Sequence, residues 1–355
     1  MCLNILGEIM RIAICMNHPG HVHLFKNFIW SMRKRGHEII IAATEKDVSF
    51  KLLDNYDFNY INLGSYGTSL MQKLVNLPII DLRLYKEVKK FGPDIFVGMG
   101  SILAAHVSFL LRKKCVIFED TEHSTEQIRL YLPFTDVVCT PSCFKDNLGK
   151  KQVRYDGYHE LAYLHPNYFT PNSTVLRELG LKENDVFIIL RFVSWSATHD
   201  HGHTGLTFED KRNAVNELSK YGRVFITSEK PLQKEFEKYR ITVSPEKIHD
   251  LLYYATLLYG ESATMASECA VLGTHAIFCD YAGRGYTDEE ELKYGLVYNY
   301  HDEDTMGKDS LVKALELLDD PNIKQKSREK SKKLISEKIE VTKYMVEFVE
   351  KYNNT

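Results

Sequence analysis

The feature that most constrains this fold is an alternation of short apolar runs with helix-length segments, carried through two halves of a 355-residue chain. In the first half the runs are RIAICM (11–16), EIIIAA (38–43), DIFVGM (94–99), CVIFED (115–120) and DVVCT (136–140). They are rich in Ile and Val and bounded by turn residues, as strands buried on both faces are. In the first helical segment Phe25, Phe28, Ile29 and Met32 share a face, and Lys34-Arg35-Gly36 supplies a basic last turn and a glycine stop. Parallel strands need a crossover that covers the sheet, so this order predicts a doubly wound parallel α/β sheet.

The second half repeats the pattern with VFIILRF (186–192), RVFITS (223–228), TLLYGE (256–261), HAIFCD (275–280) and GLVYNY (295–300). A chain of this length outgrows one core, which predicts two Rossmann-like domains facing each other across a cleft. The stretch Gly157 to Pro171, with His165-Pro166 and Thr170-Pro171, is the natural junction, dividing the chain into residues 1–165 and 166–355. From about residue 302 the chain reads helical and charged, with Ile335, Ile339, Val346 and Val349 on one stripe, as in a surface helix packed on a domain.

Lys plus Arg number 45 against 48 Asp plus Glu, which leaves no strong field for nucleic acid or an anionic membrane and favours a small-molecule or sugar-like partner. Only RKRGH (33–37) and LRKKC (111–115) hint at a membrane surface, and short basic runs are usually solvated. No run reaches the roughly 18 apolar residues of a membrane span. The opening MCLNILGEI lacks the basic start of a secretory signal, and Met10 directly precedes the first strand, so translation from Met10 with residues 1–9 dispensable is expected. Seven cysteines, with Cys15, Cys115, Cys139 and Cys279 in predicted strands, read as buried thiols of a cytoplasmic, reduced protein. Cys139 and Cys143 have no second pair at zinc-finger spacing, so no metal site is expected there.

Open α/β sheets bind ligands beyond the carboxyl ends of their strands, which singles out a few loops. In GESATMASE, Gly260, Glu261, Ser262, Ala263, Thr264 and Met265 lead from a strand into a helix whose first N–H groups lack intrahelical acceptors and favour an anion. Glu268 can accept hydrogen bonds from a ribose diol. The alternative, that Ser262 caps the helix and Glu268 complements its dipole, is equally open. In NHPGHVH, Gly20 allows close backbone approach while His18, His21 and His23 offer a base or an anion contact. The segment has neither GxGxxG nor GK[ST], which disfavours nicotinamide binding and ATP hydrolysis. Glu119, Asp120 and Glu122 put three carboxylates after a strand, where a cleft would push their pKa values apart. In RFVSWSATHDHGH, Arg191 offers a phosphate fork and His199 and Asp200 a polar cluster, with substrate contact ranked above metal binding. Arg284 stands in a further glycine-rich loop.

With these residues in view, the chain resembles GT-B nucleotide-sugar proteins, and among them the domain-of-unknown-function 354 family. The resemblance runs through NHPGHVHLFKNFIW, FEDTEHS, YDGYHELAYLHP, RFVSWSATHD and GESATMASECAVLGT and covers nearly the whole chain. It implies a donor diphosphate on Ser262, Ala263 and Thr264 and a ribose on Glu268. It is also similar to non-hydrolysing UDP-N-acetylglucosamine 2-epimerases: Glu261 and Ser262 take the places of their Asp-Ser, and Glu119 in VIFED resembles their Val-Glu-Ala-Gly carboxylate. Ala263 and Thr264 replace two glycines of that pattern, and its His-Arg pair is not reproduced by Arg191 and His199.

The expectation is a metal-independent glycosyltransferase using a nucleotide-diphosphate sugar, UDP-linked, as donor substrate and no further cofactor. His21 or Glu119 would deprotonate the hydroxyl of a sugar or lipid-linked acceptor, and domain closure would exclude water. An epimerase using Glu119, Asp120 or Glu122 on a sugar proton is the alternative, and a catalytically silent nucleotide-sugar sensor the second. No nucleic-acid partner and no transmembrane segment are expected, and peripheral contact with a membrane stays open.

Overall fold

The computed structural model describes residues 8–67, 69–193, 205–228 and 231–353. The chain forms two compact units, residues 1–163 with 340–355, and residues 164–339. The boundary falls two residues before the expected one, and the C-terminal segment belongs to the first unit rather than the second.

Among the described residues the first unit carries a seven-stranded parallel sheet. Its strands are β1 (Arg11–Met16), β2 (Glu38–Ala43), β3 (Ile61–Asn62), β4 (Ile95–Met99), β5 (Lys114–Phe118), β6 (Val137–Pro141) and β7 (Gln152–Tyr155), ordered β3-β2-β1-β4-β5-β6-β7. The helices are α1 (Pro19–Lys34), α2 (Ser49–Asn55), α3 (Leu70–Phe91), α4 (Ile102–Leu111), α5 (Thr125–Tyr131) and α6 (Leu161–Leu164). Pro19 starts α1 with a fixed φ, and Phe25, Phe28, Ile29 and Met32 are wholly buried on its inner face. The sheet reverses direction between β1 and β4, the place where such folds open a crevice.

In the second unit β8 (Phe187–Phe192), β9 (Arg223–Ser228), β10 (Leu257–Gly260), β11 (His275–Cys279) and β12 (Val297–Tyr300) form a parallel sheet ordered β12-β11-β10-β8-β9. Its helices are α7 (Thr174–Glu178), α8 (Phe208–Leu218), α9 (Ile248–Tyr254), α10 (Ala263–Leu272), α11 (Gly285–Glu289), α12 (Met306–Leu318) and α13 (Ile323–Glu337). Its reversal lies between β8 and β10. Ile188, Leu190, Ile226, Leu257, Tyr259 and Ile277 build the core on one face of this sheet.

The charged C-terminal region is broken at Lys338, where the backbone turns extended, so the expected single stripe divides between α13 and α14 (Val341–Asn353). Val346 and Val349 are buried, whereas Ile339 is exposed. α14 is tied to the first unit. Thr342 donates to the Ala162 carbonyl at 2.7 Å, Glu350 meets Arg35 at 2.7 Å, and the Lys114 ammonium caps the carbonyls of Tyr352 and Asn353. Cys15, Cys115, Cys139 and Cys279 are buried in strands, and burial pushes the thiols of Cys115, Cys139 and Cys279 up to about 12.

Candidate functional site

In the first unit the chemistry gathers at the carboxyl edge of the sheet. Glu119 follows β5, and its N–H continues the ladder to Cys139 at 3.0 Å, which draws its side chain into the interior. Oε1 accepts the N–H groups of Asp120 (3.1 Å) and Thr121 (3.0 Å), and the Tyr131 hydroxyl donates to Oε2 at 3.0 Å. Burial, with the neighbouring Asp120 charge, pushes the Glu119 carboxyl up to about 8; the three hydrogen bonds offset this only in part. Glu119 is therefore protonated at neutral pH. Gly100, at φ +49°, sits where an added Cβ would come within 3.0 Å of Glu119 Oε2, which explains glycine at the end of β4.

Asp120 takes the opposite state. Burial alone would raise its carboxyl, but His159, the Thr121 hydroxyl at 2.8 Å and His21 outweigh burial and hold it below the ordinary value. His159 Nδ1 lies 2.8 Å from Asp120 Oδ2, and although burial works against its charge, Asp120 and Glu160 raise its pKa. The result is a buried ion pair, with Tyr155 stacked on the imidazole at a 6.3 Å ring separation. His159 Nε2 has no hydrogen-bond partner among the described residues. His21 belongs to the same electrostatic group. Burial first, then Lys46, lower its pKa to about 3 against the pull of Asp120, so its imidazole is uncharged at neutral pH.

The other sequence-predicted residues of this unit have separate duties. His18 is the N-cap of α1, accepting from Gly20 N–H at 3.1 Å, with its ring 5.8 Å from His21. His23, two residues on and so on the opposite side of the helix from His21, stacks on Tyr163 at 5.5 Å. Glu122 Oε1 accepts from Lys145 N–H at 3.1 Å in the loop after β6. Members of the site that were not predicted include Tyr131, Gly100, Tyr155, Lys46 and His159. His159 was visible in YDGYHELAYLHP, but it follows β7, which was not recognised as a strand.

In the second unit Arg191 and Gly260 are register partners across the β8–β10 reversal. Gly260 has φ +153°, and an added Cβ would press into the Arg191 backbone carbonyl, so the strand ends on glycine for lack of space. Ser262 is the N-cap of α10 and accepts from Met265 N–H at 3.3 Å, as the capping alternative expects. The N–H groups of Ala263 and Thr264 begin the helix without intrahelical acceptors. Glu261 is committed to the fold: its oxygens accept Val193 N–H and Leu206 N–H, both at 2.9 Å, and Lys211 lies 3.0 Å away. Glu268 is buried with its Oε1 2.9 Å from His249 Nε2. The carboxylates expected at a ligand are thus engaged within the unit. Arg191 Nη1 donates to the Thr227 hydroxyl at 3.3 Å. Arg284 folds back onto Asp280, with Nη2 3.1 Å from Oδ2, and onto the carbonyls of Ala282 and Gly283. His199 and Asp200 lie outside the described residues. Among the described residues no three His, Cys, Asp or Glu side chains converge as metal ligands, and no helix is long and apolar enough to cross a membrane.

Comparison with known proteins agrees with this architecture. An uncharacterized protein of Methanocaldococcus jannaschii is 24% identical over 281 residues, spanning 76% of this chain and 82% of its own. A UDP-GlcNAc 2-epimerase from Neisseria meningitidis, solved bound to UDP-GlcNAc, superposes with a TM-score of 0.66 at 13% identity, covering 96% of this chain and 100% of that one. The Streptomyces sp. SF2575 glycosyltransferase SsfS6 gives 0.60 at 12% identity, covering 96% and 99%. These likenesses establish the two-domain GT-B fold. The model of the family described as Protein of unknown function (DUF354) matches residues 10–354, and the chain belongs to that family.

Proposed function

We propose that the protein is a glycosyltransferase acting on nucleotide-diphosphate sugars, with UDP-sugars as donors. The observation that carries the reading is the cluster at the first sheet's edge, where buried His21 shares an electrostatic group with Asp120, whose Oδ2 lies 2.8 Å from His159 Nδ1. The acceptor oxygen attacks the anomeric carbon of the donor as the bond from that carbon to the diphosphate oxygen breaks. The electron pair leaves with the nucleotide diphosphate, and the acceptor proton passes to His21. Asp120, which already opposes the lowering of the His21 pKa, steadies the imidazolium as it forms. Within the second unit, the Ala263 and Thr264 amides at the start of α10, with its dipole, are a candidate seat for a diphosphate. The fold shared with an epimerase solved with UDP-GlcNAc supports the choice of UDP.

A second reading, 2-epimerisation, is favoured by Glu119 alone: a protonated carboxyl next to an ionised one is the pairing that removing and returning a sugar proton requires. One experiment separates them. UDP and UDP-N-acetylglucosamine, set against adenine nucleotides, are expected to raise the melting temperature by mass action. His21→Ala keeps that rise and loses transfer to an acceptor panel by roughly 10²- to 10⁴-fold. A C2 epimer formed without acceptor assigns the second reading. Binding without any product leaves a sensor, and a melting temperature unmoved by every nucleotide diphosphate removes all three.

A further inference from the structure

The first unit leaves one large apolar surface uncovered. α3 buries Ile80, Leu84 and Val88 against the sheet, while Met71, Leu74, Val75, Ile79 and Leu82 on its outer side are between 43% and 71% exposed. These five recur at helical spacing and form one stripe. The surface continues onto the neighbouring helix, because Asp81 of α3 meets His106 of α4 at 2.8 Å. Beyond that pair Phe109 and Leu110, near the end of α4, are each 59% exposed, and Phe109 contacts Phe134 at a 5.3 Å ring separation, with Leu130 also exposed. Exposed apolar side chains gathered on one face in this way mark surfaces that bind a partner or a membrane.

We propose that this face docks on an anionic lipid surface. The charge around it selects that occupant. Lys86 and Lys89 continue the α3 stripe into its last turns, with Lys90 beside them, and Arg112 and Lys113 follow Phe109, Leu110 and Leu111, with Lys113 3.9 Å from Asp94. Arg129 adjoins Leu130, and on these three helices the exposed carboxylates among the described residues are Glu87 and Glu126, with exposed Asp136 just beyond Phe134. An apolar face entering the acyl boundary with cations at its margin is the arrangement that anionic bilayers hold. A second copy fits less well. In an antiparallel pairing Lys86, Lys89 and Lys90 would meet the first turns of α3, which carry no carboxylate, and a parallel pairing would set lysine against lysine. The overall charge of −3 conceals this local excess of base.

The proposal is independent of the nucleotide-sugar reading, and its test reads binding alone. The full chain is sedimented with extruded vesicles of phosphatidylcholine, with or without phosphatidylglycerol. Partitioning at least about tenfold greater onto the anionic vesicles is expected, falling as salt is raised. Leu74→Ser with Leu82→Ser abolishes it, and Arg112→Gln with Lys113→Gln lowers it on anionic vesicles; circular dichroism melting checks that both variants fold. Vesicle binding that ignores lipid charge or survives Leu74→Ser with Leu82→Ser overturns the proposal. So does a protein that binds no vesicles and elutes as a dimer that the same leucine substitutions dissociate, which assigns the face to a second copy.

Discussion

Glu119→Gln should make the protein more resistant to unfolding in mild alkali. Below the carboxyl's ordinary value of 4.5 both folded and unfolded chains hold the proton, and the group contributes no pH dependence. As pH rises from 4.5 to about 8 the unfolded chain releases it while the buried group keeps it, so the native state is progressively disfavoured. Each pH unit in that window costs about 1.4 kcal/mol, or about 5 kcal/mol in all, and above it the penalty is constant. Glutamine has nearly the shape of the protonated acid: its carbonyl can accept from Asp120 N–H and Thr121 N–H, and its amide can donate to the Tyr131 oxygen. The variant therefore escapes the penalty. Urea unfolding of both proteins from pH 5 to pH 9 measures the difference, which should widen by about 1.4 kcal/mol per unit and level off above about 8. A difference that stays flat from pH 5 to 8 would mean that Glu119 ionises normally, and the acid role with it would fall.

Asp120→Asn should drop the His159 ring titration, followed by NMR, below 6.5, because burial then acts without its counterion. The pair's stabilisation is complete above 3.8, is lost as pH falls through the depressed Asp120 value, and is lost again as pH rises through the raised His159 value. The loss on mutation, about 3–5 kcal/mol, is thus largest between 3.8 and 6.5. Gly260→Ala should cost about 3 kcal/mol by forcing a methyl into the Arg191 carbonyl; thermal melting checks it, and an unchanged midpoint would show that β10 can move aside.

The strands of both sheets were readable because buried parallel strands are written as uninterrupted Ile, Val and Phe. β3 and β7 escaped because one has two residues and the other, QVRY, has Gln and Arg for two of its four. Missing β7 hid the loop that delivers His159, although Asp120, its partner, stood at a recognised strand end. Strand ends also marked His21 and Glu119, yet their shifted protonation comes first from burial, which the sequence does not spell, and for His21 also from Lys46, distant in sequence. The same distance concealed what Glu261 and Glu268 touch: Val193, Leu206, Lys211 and His249 reach them only through the folded chain. A carboxylate one turn inside a helix is spelled alike whether it faces a ribose or a buried imidazole.

Because α14 locks against Ala162, Arg35 and Lys114, the first unit is interrupted by the whole of the second and regains this helix only after residues 164–339 have been made. During translation, at about 5–20 residues per second, residues 164–339 emerge and can fold while their predecessor still waits for its closing piece. A ribosome stalled near residue 339 would therefore hold a finished C-terminal unit beside an N-terminal one with an open seam, the reverse of the usual order in vectorial folding.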